Sequence, residues 1–165
     1  MAIDKALKAS SMKRIRAVFD TNVYVAAYLS KNLRSPNKEL FRRWRDGEFV
    51  LLISDAILKE VIGKFNQIGI EQALTVELIA FILADADYVT VSADQIHSVI
   101  ADDPDDDQVL ACAVAGKADY LVTYDPHFDC LGGEYQGIHV LDTLHFLYVV
   151  RGDKKPLAKM ANGME

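Results

Sequence analysis

The sequence predicts an α/β protein with a central parallel sheet of about five strands and helices on both faces. Three observations carry this. Short apolar, β-branched runs recur along the chain, helical patterns separate them, and capping residues stand where the helices should begin. IRAVF (15–19) reads as a buried strand, with a helix following over about 22–30. In SPNKELFRRWRDG, Ser35 is the N-cap, Pro36 takes the first helical position and Gly47 is the stop. FVLLIS (49–54) is a second strand, and Ser54 caps a helix over about 55–65. EQALTVELIAFILA (71–84) forms a further helix, and YVTV (88–91) a third strand. A helix over about 105–116 leads into the strand YLVTY (120–124). IHVL (138–141) is the last strand, and Asp142 caps a last helix in DTLHFLYVV.

The 165 residues suit one domain, expected over 13–150, with flexible segments at 1–12 and 151–165. A net charge of −6 argues against a strongly basic nucleic-acid-binding module, while leaving room for local basic patches. Cys112 and Cys130 form no metal-binding spacing and no disulfide framework, so a reducing compartment is expected and Cys112 belongs in the core. The apolar runs are too short to span a bilayer, and MAIDKALKASSMKRIR lacks a signal-peptide pattern. A cytoplasmic location is the expectation.

In parallel sheets flanked by helices, ligands gather at the carboxyl ends of the strands. Asp20 directly follows IRAVF and Asp125 directly follows YLVTY. The start of the helix near 105 lies at that same edge, because a helix runs antiparallel to the strand it feeds. There the stretch DDPDDD crowds five aspartates into residues 102–107. At about 100° per residue, Val109, Leu110, Ala113 and Val114 define the apolar face. Asp106 projects onto that face, while Asp105 and Asp107 fall to either side and suit the helix terminus. Asp102, Asp103 and Pro104 form the loop leading in. Glu60 borders the apolar stripe of its helix, and phase alone does not choose its side. Each aspartate taken singly is a common helix cap or turn residue. Three converging carboxylates, however, repel one another unless a cation joins them, and hard oxygen ligands suit Mg²⁺ or Mn²⁺.

The segments AVFDTNVYVAAYLS, SDAILKEV and DPDDDQVLACAVAGKADYLVTYD resemble the motifs of PIN-domain nucleases. They are most similar to the VapC-like prokaryotic toxins of toxin–antitoxin systems. The resemblance covers about residues 14–148, with the motifs in family order. It implies a three-layer α/β/α sandwich and a divalent-metal-dependent endoribonuclease that hydrolyses RNA. It also implies a catalytic and metal-binding set of Asp20, Glu60, Asp106 and Asp125. Asn22 and Thr123 are implied as supporting hydrogen-bonders. Asp107 stands where relatives often carry asparagine, as an auxiliary ligand or a register rival of Asp106. Partners implied are RNA, a protein antitoxin and a second copy of the chain.

RNA needs positive charge outside an acidic pocket, and the candidates are Lys38, Arg42, Arg43 and Arg45, with Lys13, Arg14 and Arg16 in the segment that leads into the first strand. A solvated helix face with Trp44 and Phe41 packed inside is the competing reading. Of His97, His127, His139 and His145, only His127 lies beside the expected site. Aspartyl-phosphate chemistry of the haloacid dehalogenase type would need a second acid where Asn22 stands. A receiver domain would need an acidic pair at the first strand and a late strand-end lysine, and neither is found. A housekeeping RNA-processing nuclease, or a catalytically weak RNA- or partner-binding module, is the alternative.

Overall fold

The computed structural model describes residues 13–100 and 103–153. The extension expected at 1–12, Asp102 of the lead-in loop, and the tail beyond Asp153 lie outside the described residues. In chain order the elements are β1 (Arg16–Phe19), α1 (Thr21–Leu29), α2 (Pro36–Arg45), β2 (Val50–Ile53), α3 (Asp55–Ile68), α4 (Gln72–Asp85) and β3 (Asp87–Tyr88). Then follow α5 (Pro104–Ala115), β4 (Tyr120–Val122), β5 (Glu134–Tyr135), β6 (Ile138–Leu141) and α6 (Thr143–Arg151), with 3₁₀ turns at Ala93–Gln95 and Pro126–Leu131.

The strands form one sheet in the order β3-β2-β1-β4-β6-β5. Neighbours are parallel except β5, which runs antiparallel to β6. Alternation along β1 shows the two covering layers. The Phe19 ring meets Phe41 of α2 and Phe146 of α6, with centroids at 5.6 and 6.3 Å. Arg16, on the other face, donates from Nε and Nη2 to the Gly116 carbonyl at the end of α5. Gly116 permits that close approach: a Cβ there would lie 2.9 Å from Leu52 Cδ1 and 2.8 Å from Val89 Cγ2. α3 packs on both α1 and α5. The fold is thus the α/β/α sandwich expected, with a parallel sheet at its centre.

The caps lie where the sequence places them. Ser35, Ser54 and Asp142 each accept an amide N–H in the first turn of their helices. Glu39 on α2 joins Arg43 and Arg151, which pins α6 to α2 and holds its carboxyl down at about 2.

Three boundaries and one added strand differ from expectation, the first being β4, which ends at Val122 rather than Tyr124 and leaves Asp125 in the turn beyond it. β3 covers Asp87–Tyr88 rather than 88–91, because its partner β2 ends at Ile53 and Ser54 already caps α3. One last bond, Val89 N–H to the Ile53 carbonyl at 2.8 Å, closes that ladder. α3 runs past Phe65 to Ile68, where Gly69 in a left-handed conformation stops it. β5 is an added strand, made possible by a tight hairpin in which Gln136 and Gly137 both have positive φ.

Candidate active site

From β1 the chain moves outward through β2 to β3, then returns to place β4 on the other side of β1. The gap between the carboxyl ends of β1 and β4 is therefore a topological switch point. Asp20 and Thr123 flank it, since Phe19 is in register with Val122. Asp20 is buried, and both its oxygens are engaged. Oδ1 accepts the Thr21 N–H at 2.7 Å, capping α1, and Oδ2 accepts the Thr123 hydroxyl at 2.8 Å. The same Thr123 Oγ1 accepts the Asp125 N–H at 2.9 Å. One hydroxyl thus orients the Asp20 carboxylate and holds the backbone of Asp125 beyond the neighbouring strand.

Asp106 is 4% exposed and faces inward, while Asp105 is exposed. Its Oδ2 lies 3.0 Å from His127 Nδ1. His127 in turn sits 3.3 Å from Asp125 Oδ1 and 3.9 Å from Asp103 Oδ2. Asp103, Asp106, Asp125 and His127 each offer one ligand atom, all within 4.8 Å of one another. Asp20 and Glu60 stand outside this tight group, Asp20 with both oxygens hydrogen-bonded and Glu60 half-buried on α3. Burial raises the Glu60 carboxyl, and Asp105 and Asp20 add to the rise. The Thr21 hydroxyl draws it partly back.

The electrostatics leave this cluster short of positive charge. Asp20 is raised, chiefly by burial, with Thr123 and Thr21 opposing and Asp125 and Asp103 adding. Burial pushes Asp106 up to about 7. His127 pulls it down, and Asp125, Asp20 and Asp103 push it further. A divalent cation would relieve both desolvation and repulsion. The donors are hard carboxylate oxygens with one imidazole, and the orphaned Thr21 hydroxyl lies beside Asp20, so the residues fit such an ion.

Asp107 has a different position. Its Oδ1 accepts the N–H groups of Val99 and Ile100 at 3.0 and 2.8 Å. It anchors the segment before α5 instead of its own helix terminus. Asn22 is exposed and, among the described residues, makes no side-chain hydrogen bond to the cluster. The buried face of α1 belongs to Thr21, Val23 and Tyr24 instead.

The basic residues of α2 are divided along their helix. Its N-terminus lies at the site edge, where Asn37 Oδ1 accepts from Tyr124 Oη and Thr143 Oγ1. Lys38 shares that end. Arg43 pairs with Glu39 and Glu48, and Arg45 lies near Asp85 and over the Phe81 ring. Glu48 and Asp85 precede β2 and β3, so Arg43 and Arg45 belong to the opposite edge. Arg42 donates to the Leu33 carbonyl at 2.9 Å. Cys112 is packed in the core, where burial lifts its thiol to about 12.

Asp103 and Thr21 join the neighbourhood without having been assigned to it, and His127, expected beside the site, enters it. A signal for Asp103 existed: Pro104 at the first helical position makes the preceding residue the N-cap, as with Ser35 and Pro36. Its Oδ1 accepts the Asp105 N–H at 3.0 Å. His127 is placed by the same rule acting on Asp125 and Pro126, since Asp125 Oδ1 accepts the His127 N–H.

Among the described residues, no helix is long and apolar enough to cross a membrane. No curated protein matches the chain. Among solved structures, a chain of VapBC2 from Rickettsia felis, determined bound to a DNA fragment from its promoter, is similar with a TM-score of 0.56. That match covers 76% of this chain and 97% of the other at 14% identity, a likeness of fold. The family model described as PIN domain matches residues 16–127, a span that contains Asp20, Glu60, Asp106 and Asp125. The chain therefore belongs to the PIN domain family, and its activity class is that of a nuclease.

Proposed function

We propose that the protein is a divalent-metal-dependent endoribonuclease and the toxin of a toxin–antitoxin pair. The observation that supports the nuclease reading is the meeting of Asp106 and Asp125 near the buried Asp20 at the β1/β4 switch point, where Thr123 bonds the Asp20 carboxylate and the Asp125 backbone. Asp20, Asp106 and Asp125 would hold Mg²⁺ or Mn²⁺, and Glu60 would complete the shell or orient water. When bound, the ion supplies activation of water and stabilisation of charge on the leaving oxygen. Thr123 orients the Asp20 carboxylate and holds the Asp125 backbone, so that little reorganisation would be needed on binding. The burial of Asp20 and Asp106 keeps bulk water from screening the carboxylates. Of the basic residues on α2, Lys38 near its first turn and Arg42, whose guanidinium reaches back to the Leu33 carbonyl before that turn, would meet a phosphate at this edge.

The choice of RNA and of a toxin role rests on the motif resemblance, and the VapBC2 likeness supports an antitoxin partner. A homodimer is proposed on the same resemblance. The test is cleavage-site mapping on total cellular RNA with wild type and Asp20→Asn, in Mn²⁺ and in chelator. Defined cuts should require both the ion and Asp20, with a loss of about 100-fold or more in the variant. Equal cleavage by the variant would sink the reading. Induced expression separates the roles: a toxin arrests growth through Asp20, whereas a housekeeping nuclease leaves growth intact.

A further inference from the structure

We propose that His127 Nδ1 is itself a ligand of the divalent ion, that Asp103 supplies a further oxygen, and that the nitrogen biases the site toward first-row transition ions over Mg²⁺. This rests on the metal-site reading above and extends its ligand set.

Three carboxylate oxygens converge on one ring nitrogen, at 3.0 Å for Asp106, 3.3 Å for Asp125 and 3.9 Å for Asp103. Ligands around one small ion, each about 2.1 Å from it, stand about 3 Å apart when adjacent and about 4.2 Å apart when opposite. All three separations fall within that range. The nitrogen is also built into position. The His127 N–H is held by Asp125 Oδ1, Pro126 limits the turn, and the next side chain, Phe128, is buried in the core. Asp103 is held in turn by capping α5.

The donor chemistry follows from the residue type. Carboxylates alone suit Mg²⁺, which favours oxygen ligands and sheds its waters reluctantly. An imidazole nitrogen adds little for Mg²⁺ and more for transition ions. Neutral His127 would donate its lone pair to the ion, displacing the hydrogen bond it makes to Asp106 without the ion.

The test uses the whole chain with Mn²⁺ and Mg²⁺ alone as probes. Pulsed electron paramagnetic resonance of the Mn²⁺-loaded wild type should show coupling to an imidazole nitrogen. The coupling should vanish in His127→Ala and His127→Asn, while Mn²⁺ still binds. Calorimetric titration should show the preference for Mn²⁺ over Mg²⁺ falling about tenfold in both variants. Asparagine retains a donor at similar reach, so an Mn²⁺ preference preserved in His127→Asn would reduce His127 to orienting Asp106 and overturn the proposal. Mn²⁺ bound to wild type without nitrogen coupling would overturn it and leave the carboxylate site standing. A wild type that binds neither ion would remove both.

Discussion

The carboxyl of Asp106 is held up at about 7 by burial and by the aspartates around it, against the pull of His127. The ordinary value is 3.8, so the folded chain binds this proton more tightly than the unfolded one. The associated stability is fully present below that ordinary value and is lost as pH rises through about 7. Without an ion, Asp106→Asn should therefore stabilise the protein at pH 8 by about 1–3 kcal/mol, and the advantage should vanish near pH 3. Denaturant titrations at the two pH values measure this, and a destabilised variant at pH 8 would count against it. The same variant should lose RNA cleavage, since an amide cannot supply the negative charge. Helical phase alone singled out Asp106 from its neighbours. Repulsion among converging carboxylates was legible as a source of raised proton affinity, but the burial that chiefly lifts Asp106 was not, because it depends on packing between segments distant in sequence.

At the scale of one element, the first turn of α5 gives adjacent aspartates different surroundings. Asp103 caps the helix, Asp105 is exposed, Asp106 faces the site and Asp107 holds the backbone of Val99 and Ile100. Helical phase explains Asp105 and Asp106. It does not explain Asp107, whose partners come from a segment before the helix whose path the sequence pattern left open. Asp107→Asn keeps an oxygen acceptor for both amides, so activity and stability should stay near wild type. Asp107→Ala strands two amide groups and should cost about 1–3 kcal/mol. Thermal unfolding beside an RNA-cleavage assay distinguishes this from a ligand role, in which Asp107→Asn would also lose activity. The short β3 has a comparable cause: YVTV has strand character throughout, yet β2 offers no partner beyond Ile53.

Across the whole molecule, the switch point sets desolvation and charge repulsion against the stability of the fold. Burial first, and then the charges of Asp125 and Asp103, raise the proton affinity of Asp20 and Asp106. Mn²⁺ at 100 times its dissociation constant should then stabilise the folded chain by about 2.7 kcal/mol. Chelator should reverse this, and Asp20→Asn should respond much less. A melting temperature indifferent to Mn²⁺ would contradict the metal reading. Alternating strand and helix patterns, with Ser35, Ser54 and Asp142 as caps, were enough to read the layered architecture, because those signals are local. They also placed Asp20 and Asp125 at strand ends. Strand order was not local: β4 beside β1 is what lets Thr123 bond Asp20 and brings His127 to Asp106. The division of the α2 arginines also required the packed chain, since Glu48 and Asp85 draw Arg43 and Arg45 to the edge away from the site. Periodicity and capping act within a few residues along the chain. Which carboxylates share a pocket, and which cations remain to meet a phosphate, follow from contacts that only sheet pairing and helix packing create.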